Sequence, residues 1–161
     1  MFNAGMRSNS VAAPLQLKPY MLEDEDQHDG GACRPHLSIK ATTTETGGAF
    51  NLFTLAGPLG LGTPLHIHYQ EDVALFVLEG SLTVFWGEEG REARAGSYVF
   101  MPRGIAHGFR VKSAAGARIL FLAVPAGIDG LAHECCFGQD TSECTSAAAR
   151  YKIEILGPLP D

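Results

Sequence analysis

The sequence predicts an all-β fold, with short strands closing into a sandwich or barrel. Three observations carry that expectation. Nineteen glycines and nine prolines in 161 residues distribute turn signals along the whole chain. Between the turns lie short runs rich in Val, Leu, Ile and Phe, the composition of buried or half-buried strands. Two of these runs, Val73–Leu78 and Ser81–Trp86, are separated by Glu79-Gly80, as in a hairpin. Regular strand spacing of this kind favours a sandwich or barrel over βαβ units.

Taken in order, residues 1–34 read as a flexible lead-in, small and polar with Pro14 and Pro19. Within it, Glu23-Asp24-Glu25-Asp26 is expected to be a solvated acidic turn. Residues 35–125 form the barrel. Leu37 and Ile39 alternate with His36, Ser38 and Lys40, the pattern of a strand with one face buried. Gly47-Gly48 turns the chain into Ala49–Leu55, and Gly87-Glu88-Glu89-Gly90 closes the turn after Trp86. Ser97–Met101 runs into Pro102, which lacks the N–H a ladder needs. Gly108–Val111 and Ala117–Val124 complete the strands. Residues 126–161 are expected to be a helical segment packed on the barrel, with Ser142 as N-cap of an alanine-rich run to Tyr151.

Composition narrows the function. A length of 161 residues suits one domain, and 45% hydrophobic with 19% charged residues is ordinary for a globular chain. A net charge of −6 without a basic patch argues against a nucleic-acid partner. No apolar run approaches the ~20 residues that span a bilayer. Met1–Arg7 lacks the apolar stretch of a signal peptide, so a cytoplasmic location with no membrane partner is expected. The cysteines Cys33, Cys135, Cys136 and Cys144 show no C-x-x-C spacing, and reduced thiols are the expectation.

The chemistry concentrates in two words. In Gly60-Leu61-Gly62-Thr63-Pro64-Leu65-His66-Ile67-His68 two histidines stand at i and i+2, so an extended backbone turns both to one face. In Pro102-Arg103-Gly104-Ile105-Ala106-His107 a third histidine follows a turn. Three imidazoles converging in a small barrel can hold one divalent metal and leave positions open for substrate.

Gly60 to Gly80 reads G-x5-H-x-H-x11-G, and Gly96 to His107 reads G-x5-P-x-G-x2-H. These words resemble the two motifs of the cupin superfamily. Glu45–Gly48, Val77–Gly80 and the tail Ala149–Pro158 resemble its small single-domain, quercetin dioxygenase-like branch. The resemblance spans about residues 36–161, with a less familiar stretch at 129–146. It implies a double-stranded β-helix, or jelly-roll barrel, acting as a homodimer on a small-molecule substrate. A divalent transition metal (Fe, Ni, Zn, Cu or Mn) would sit in the barrel mouth.

By that resemblance His66, His68 and His107 are the metal ligands and the catalytic centre. The family's glutamate ligand falls at Val73, which cannot coordinate, and the end of the H-x3-N word falls at Val111. Asp72 has the opposite strand parity, whereas Glu71 shares that of Val73 and is the alternative donor. Some cupin oxygenases work with three histidines alone; loss of metal binding is the other outcome open to this set. Val73, Tyr98, Phe100 and Phe109 are the expected substrate contacts, in a pocket more apolar than the family norm. Two activities fit: dioxygenation of an aromatic, polyketide-like or enol-bearing molecule, and a non-redox cyclase, isomerase or dehydratase reaction. His28, His36 and His133 have no spaced partner, and Arg103 either anchors a strand or faces a substrate.

Overall fold

The computed structural model describes residues 16–23, 37–135 and 142–161. Most of the lead-in, with His28, Cys33 and His36, lies outside these residues, as does Cys136. Among the described residues, ten strands and two helices follow one another: β1 Leu37–Ala41, β2 Asn51–Gly57, β3 Leu65–His68, β4 Asp72–Glu79, β5 Ser81–Trp86, β6 Glu89–Arg94, β7 Tyr98–Met101, β8 His107–Val111, β9 Ala117–Val124, α1 Leu131–Glu134, α2 Ser142–Arg150 and β10 Ile153–Gly157.

The strands form two five-stranded antiparallel sheets, ordered β1-β2-β9-β4-β7 and β10-β3-β8-β5-β6. Period-two alternation turns one face of each sheet inward, where Ile39, Leu55, Leu75, Val77 and Ile119 meet Leu82, Val84 and Val111. Val111 is thus a core residue. The predicted hairpin is corrected: β4 pairs with β7 and β9 in one sheet and β5 with β6 and β8 in the other, so Glu79-Gly80 carries the chain from sheet to sheet. Gly80 has φ 76°, and a Cβ on it would stand 2.3 Å from the Gly116 carbonyl oxygen. Only glycine fits there.

Two elements depart from the sequence expectation. β6, Glu-Gly-Arg-Glu-Ala-Arg, is a strand that begins inside the expected Gly87–Gly90 turn and runs on through residues for which no strand was expected. It is a charged edge strand, protected from further pairing by Glu92, Arg91 and Arg94, and so lacks an alternating apolar pattern. The C-terminal segment is only partly helical. After α2, β10 returns to the sheet and pairs with β3, placing Ile153 opposite His68 and Ile155 opposite His66. The tail is therefore part of the wall beside the histidines.

The expectation of unpaired, reduced cysteines is corrected by a Cys135–Cys144 disulfide. The two residues stand nine apart in sequence, and α1 and α2 bring them together. Cys144 is buried on the inner face of α2 with Ala147 and Ala148. Among the described residues no helix is long and apolar enough to cross a membrane.

Candidate metal centre

β3 and β8 are neighbours in one sheet, and their register sets His66 directly opposite His107. His68 lies two residues along β3 and so shares the inward face. The ring centroids stand 4.5 Å (His66–His107), 5.1 Å (His66–His68) and 5.5 Å (His68–His107) apart. All three residues are buried, at 8%, 6% and 3% exposure for His66, His68 and His107. One ring nitrogen from each lies within 4.8 Å of the other two.

Which nitrogens converge follows from what holds the rings from behind. Nδ1 of His66 donates to the Pro64 carbonyl at 2.8 Å, and Nδ1 of His107 to the Ile105 carbonyl at 2.9 Å. A carbonyl oxygen only accepts, so both rings carry the proton on Nδ1 and keep the Nε2 lone pair free. Nδ1 of His68 faces Oε2 of Glu71 at 3.2 Å. The three Nε2 atoms thus form an acceptor-only triangle in a dry wall, a donor set that fits one divalent metal.

Burial pushes the His66 pKa down to about 3, with His107 and His68 repelling its charged form. His107 is held down to about 4 by burial, while its Ile105 carbonyl works the other way. Both rings are therefore neutral, as a ligand must be. The sign of the stability effect follows. An unfolded histidine titrates near 6.5, so on acidification the unfolded chain takes up protons that the folded rings refuse. Without metal, urea stability is expected to fall as pH drops from about 6.5 towards 4. The slope should be shallower in His107→Asn, and equal slopes would show that His107 does not titrate abnormally.

A cavity of about 100 Å³ opens beside the triangle. Phe53, Val73, Met101, Phe109, Ile153 and Ile155 line it with the histidines, and among the described residues no Asp or Glu does. Val73 sits on the sheet facing the histidine sheet, paired with Met101 and Ala123, and closes the far wall. Two expected contacts are elsewhere. Tyr98 and Phe100 are 64% and 55% exposed on the outer face of β7, paired with Phe76 and Ala74. Their neighbours Val99 and Met101 take the inward positions, because strand parity allows only one set inside.

Glu71 and Asp72 separate as parity requires. Glu71 turns inward behind His68, whereas Asp72 accepts from the backbone N, Nε and Nη2 of Arg103, each at 3.0 Å. Those hydrogen bonds hold the Asp72 carboxyl down to about 2. Arg103 therefore anchors the turn that delivers His107. His133 is exposed on α1.

The comparisons with known proteins fit this picture. The Cupin domain family profile matches residues 55–123. Quercetin 2,3-dioxygenase from Bacillus subtilis (strain 168) is 28% identical over 100 residues, covering 62% of this chain and 30% of that enzyme. The chain thus spans about a third of the length of this relative. The structure of KdgF from Halomonas sp. superposes with a TM-score of 0.56 at 21% identity, over 70% of this chain and 99% of that one. The polyketide cyclase RemF from Streptomyces resistomycificus gives a TM-score of 0.49 at 28% identity, over 55% and 63%. The matched region runs from β2 into β9 across both sheets, and the chain has the double-stranded β-helix fold of a cupin domain.

Proposed function

We propose that this cupin is a metal-dependent enzyme acting on a compact, apolar, enol-bearing or aromatic small molecule, with dioxygenation as the reaction. The observation that carries this reading is the triangle of three histidine Nε2 lone pairs set into an otherwise apolar cavity. A bound divalent metal would supply a Lewis acid with coordination positions left open for substrate. The chain itself supplies a dry wall, through Phe53, Met101 and Phe109, and fixed ring orientations, through Pro64, Ile105 and Glu71. Homology to a quercetin dioxygenase supports oxygen chemistry.

The cavity also limits the substrate. At about 100 Å³ it is smaller than the ~150 Å³ void that takes up benzene, so it accepts about one ring or a short branched chain. Among the described residues no carboxylate lines its wall to serve as base for the substrate proton. A substrate that ionises readily, such as an acidic enol, suits such a site. Val73 is the observation that favours a second reading, non-redox cyclisation, isomerisation or dehydration. A homodimer completes the proposal.

The test is turnover of enol-bearing and phenolic single-ring compounds by metal-loaded protein, with and without oxygen. Oxygen uptake matched to product supports the first reading. Equal product formation under nitrogen would overturn it in favour of the second.

A further inference from the structure

Glu71 is the unused group nearest the centre. It precedes β4, is 2% exposed, and sets Oε2 3.2 Å from Nδ1 of His68. Burying a carboxylate is expensive unless something positive or hydrogen-bonding compensates it. A neutral imidazole N–H compensates it weakly. A ring whose Nε2 binds a cation becomes a polarised donor, and compensates it better.

The three histidines are not equivalent in this respect. His66 and His107 donate to backbone carbonyls, whereas His68 faces a carboxylate. The loop after β9 packs behind that carboxylate. Asn51, fully buried, accepts through Oδ1 from the backbone N–H groups of Gly127 (2.8 Å) and Ile128 (3.0 Å). Gly127 has φ 158°, and a Cβ built on it would lie 3.5 Å from Oε1 of Glu71. The carboxylate is therefore packed in place, one ring's width from the Nε2 triangle.

Resting on the three-histidine metal reading, we infer that Glu71 is a positioning residue that supplies, through His68, the negative charge that Val73 does not. It fixes the His68 ring and tautomer, and it offsets the charge of a divalent ion without occupying a coordination position. The centre is then left with more open positions than a four-ligand site, while remaining partly neutralised.

Metal-free wild type, Glu71→Gln and Glu71→Ala would be titrated with Zn²⁺ and Co²⁺ against a competing chelator. Metal-free melting curves and imidazole ¹⁵N NMR would be recorded in parallel. Glutamine keeps an acceptor for the His68 N–H but removes the charge. Glu71→Gln is expected to bind metal about 10–100-fold more weakly, with the His68 proton still on Nδ1 and a metal-free melting temperature no lower than wild type. Glu71→Ala should weaken binding at least as much and free the ring tautomer. Should one variant fail to fold, the other decides. Unchanged metal affinity in a folded variant would overturn the inference and leave the three-histidine site standing. A wild type that binds neither metal would overturn both.

Discussion

Val73→Glu is expected to tighten divalent metal binding by at least about tenfold, or ~1.4 kcal/mol. The position lines the same cavity as His66, His68 and His107 from the opposite sheet. A carboxylate there adds both a donor and a compensating charge to a set of neutral imidazoles. The same substitution should destabilise the metal-free protein by about 3–5 kcal/mol, because the carboxylate is then buried without a partner. The two effects have opposite signs, so zinc should rescue the melting temperature of Val73→Glu far more than that of wild type. The native reaction should slow if it needs an apolar wall at position 73, and oxygen-dependent turnover of enol-bearing single-ring compounds should appear or rise. Unchanged metal affinity in a folded variant would show that position 73 does not reach the histidines.

Phe109→Ala is expected to lower stability by about 3–5 kcal/mol, the usual result of removing a buried aromatic ring. Phe109 is inward on β8, two residues after His107, and packs against Phe121 with ring centroids 5.5 Å apart. It belongs to the core and to the cavity wall at once. The truncated pocket should also accept substrates about one ring larger. Urea unfolding and a substrate-size series measure the two effects separately. A loss below about 1 kcal/mol would mean that the site collapses around the missing ring.

Much of the fold and the heart of the site were legible because both rest on parity. The i, i+2 histidines must share a face once β3 is extended, and Val73 and Asp72 must point opposite ways on β4. The glycine and proline turns marked the strand ends, but not that the chain changes sheets at Gly80 in place of folding back as a hairpin. What stayed hidden lacked a periodic signal. Tyr98-Val99-Phe100-Met101 is apolar at every position, so nothing in it tells the inner pair from the outer. The charged edge strand β6 carries no burial pattern. β10 follows an alanine-rich helix, and its role as partner of β3 is a long-range pairing that local sequence does not encode. Parity with Val73 turns Glu71 inward, but that it meets Nδ1 of His68, and not the cavity, depends on the path of the link between β3 and β4 and emerges only in three dimensions. Cys135 and Cys144 meet because α1 and α2 pack together, across a spacing that matches no cysteine motif.

The most direct measurement of the central claim is the metal content of the purified protein and of its His66→Ala, His68→Ala and His107→Ala variants, after growth with iron, nickel, zinc, copper and manganese. The geometry predicts up to one transition metal per wild-type chain, and a sharp loss in each variant because one of three donors is gone. Negligible metal in wild type, with no change in melting temperature or activity when metal is added back, would contradict it and leave a metal-free pocket.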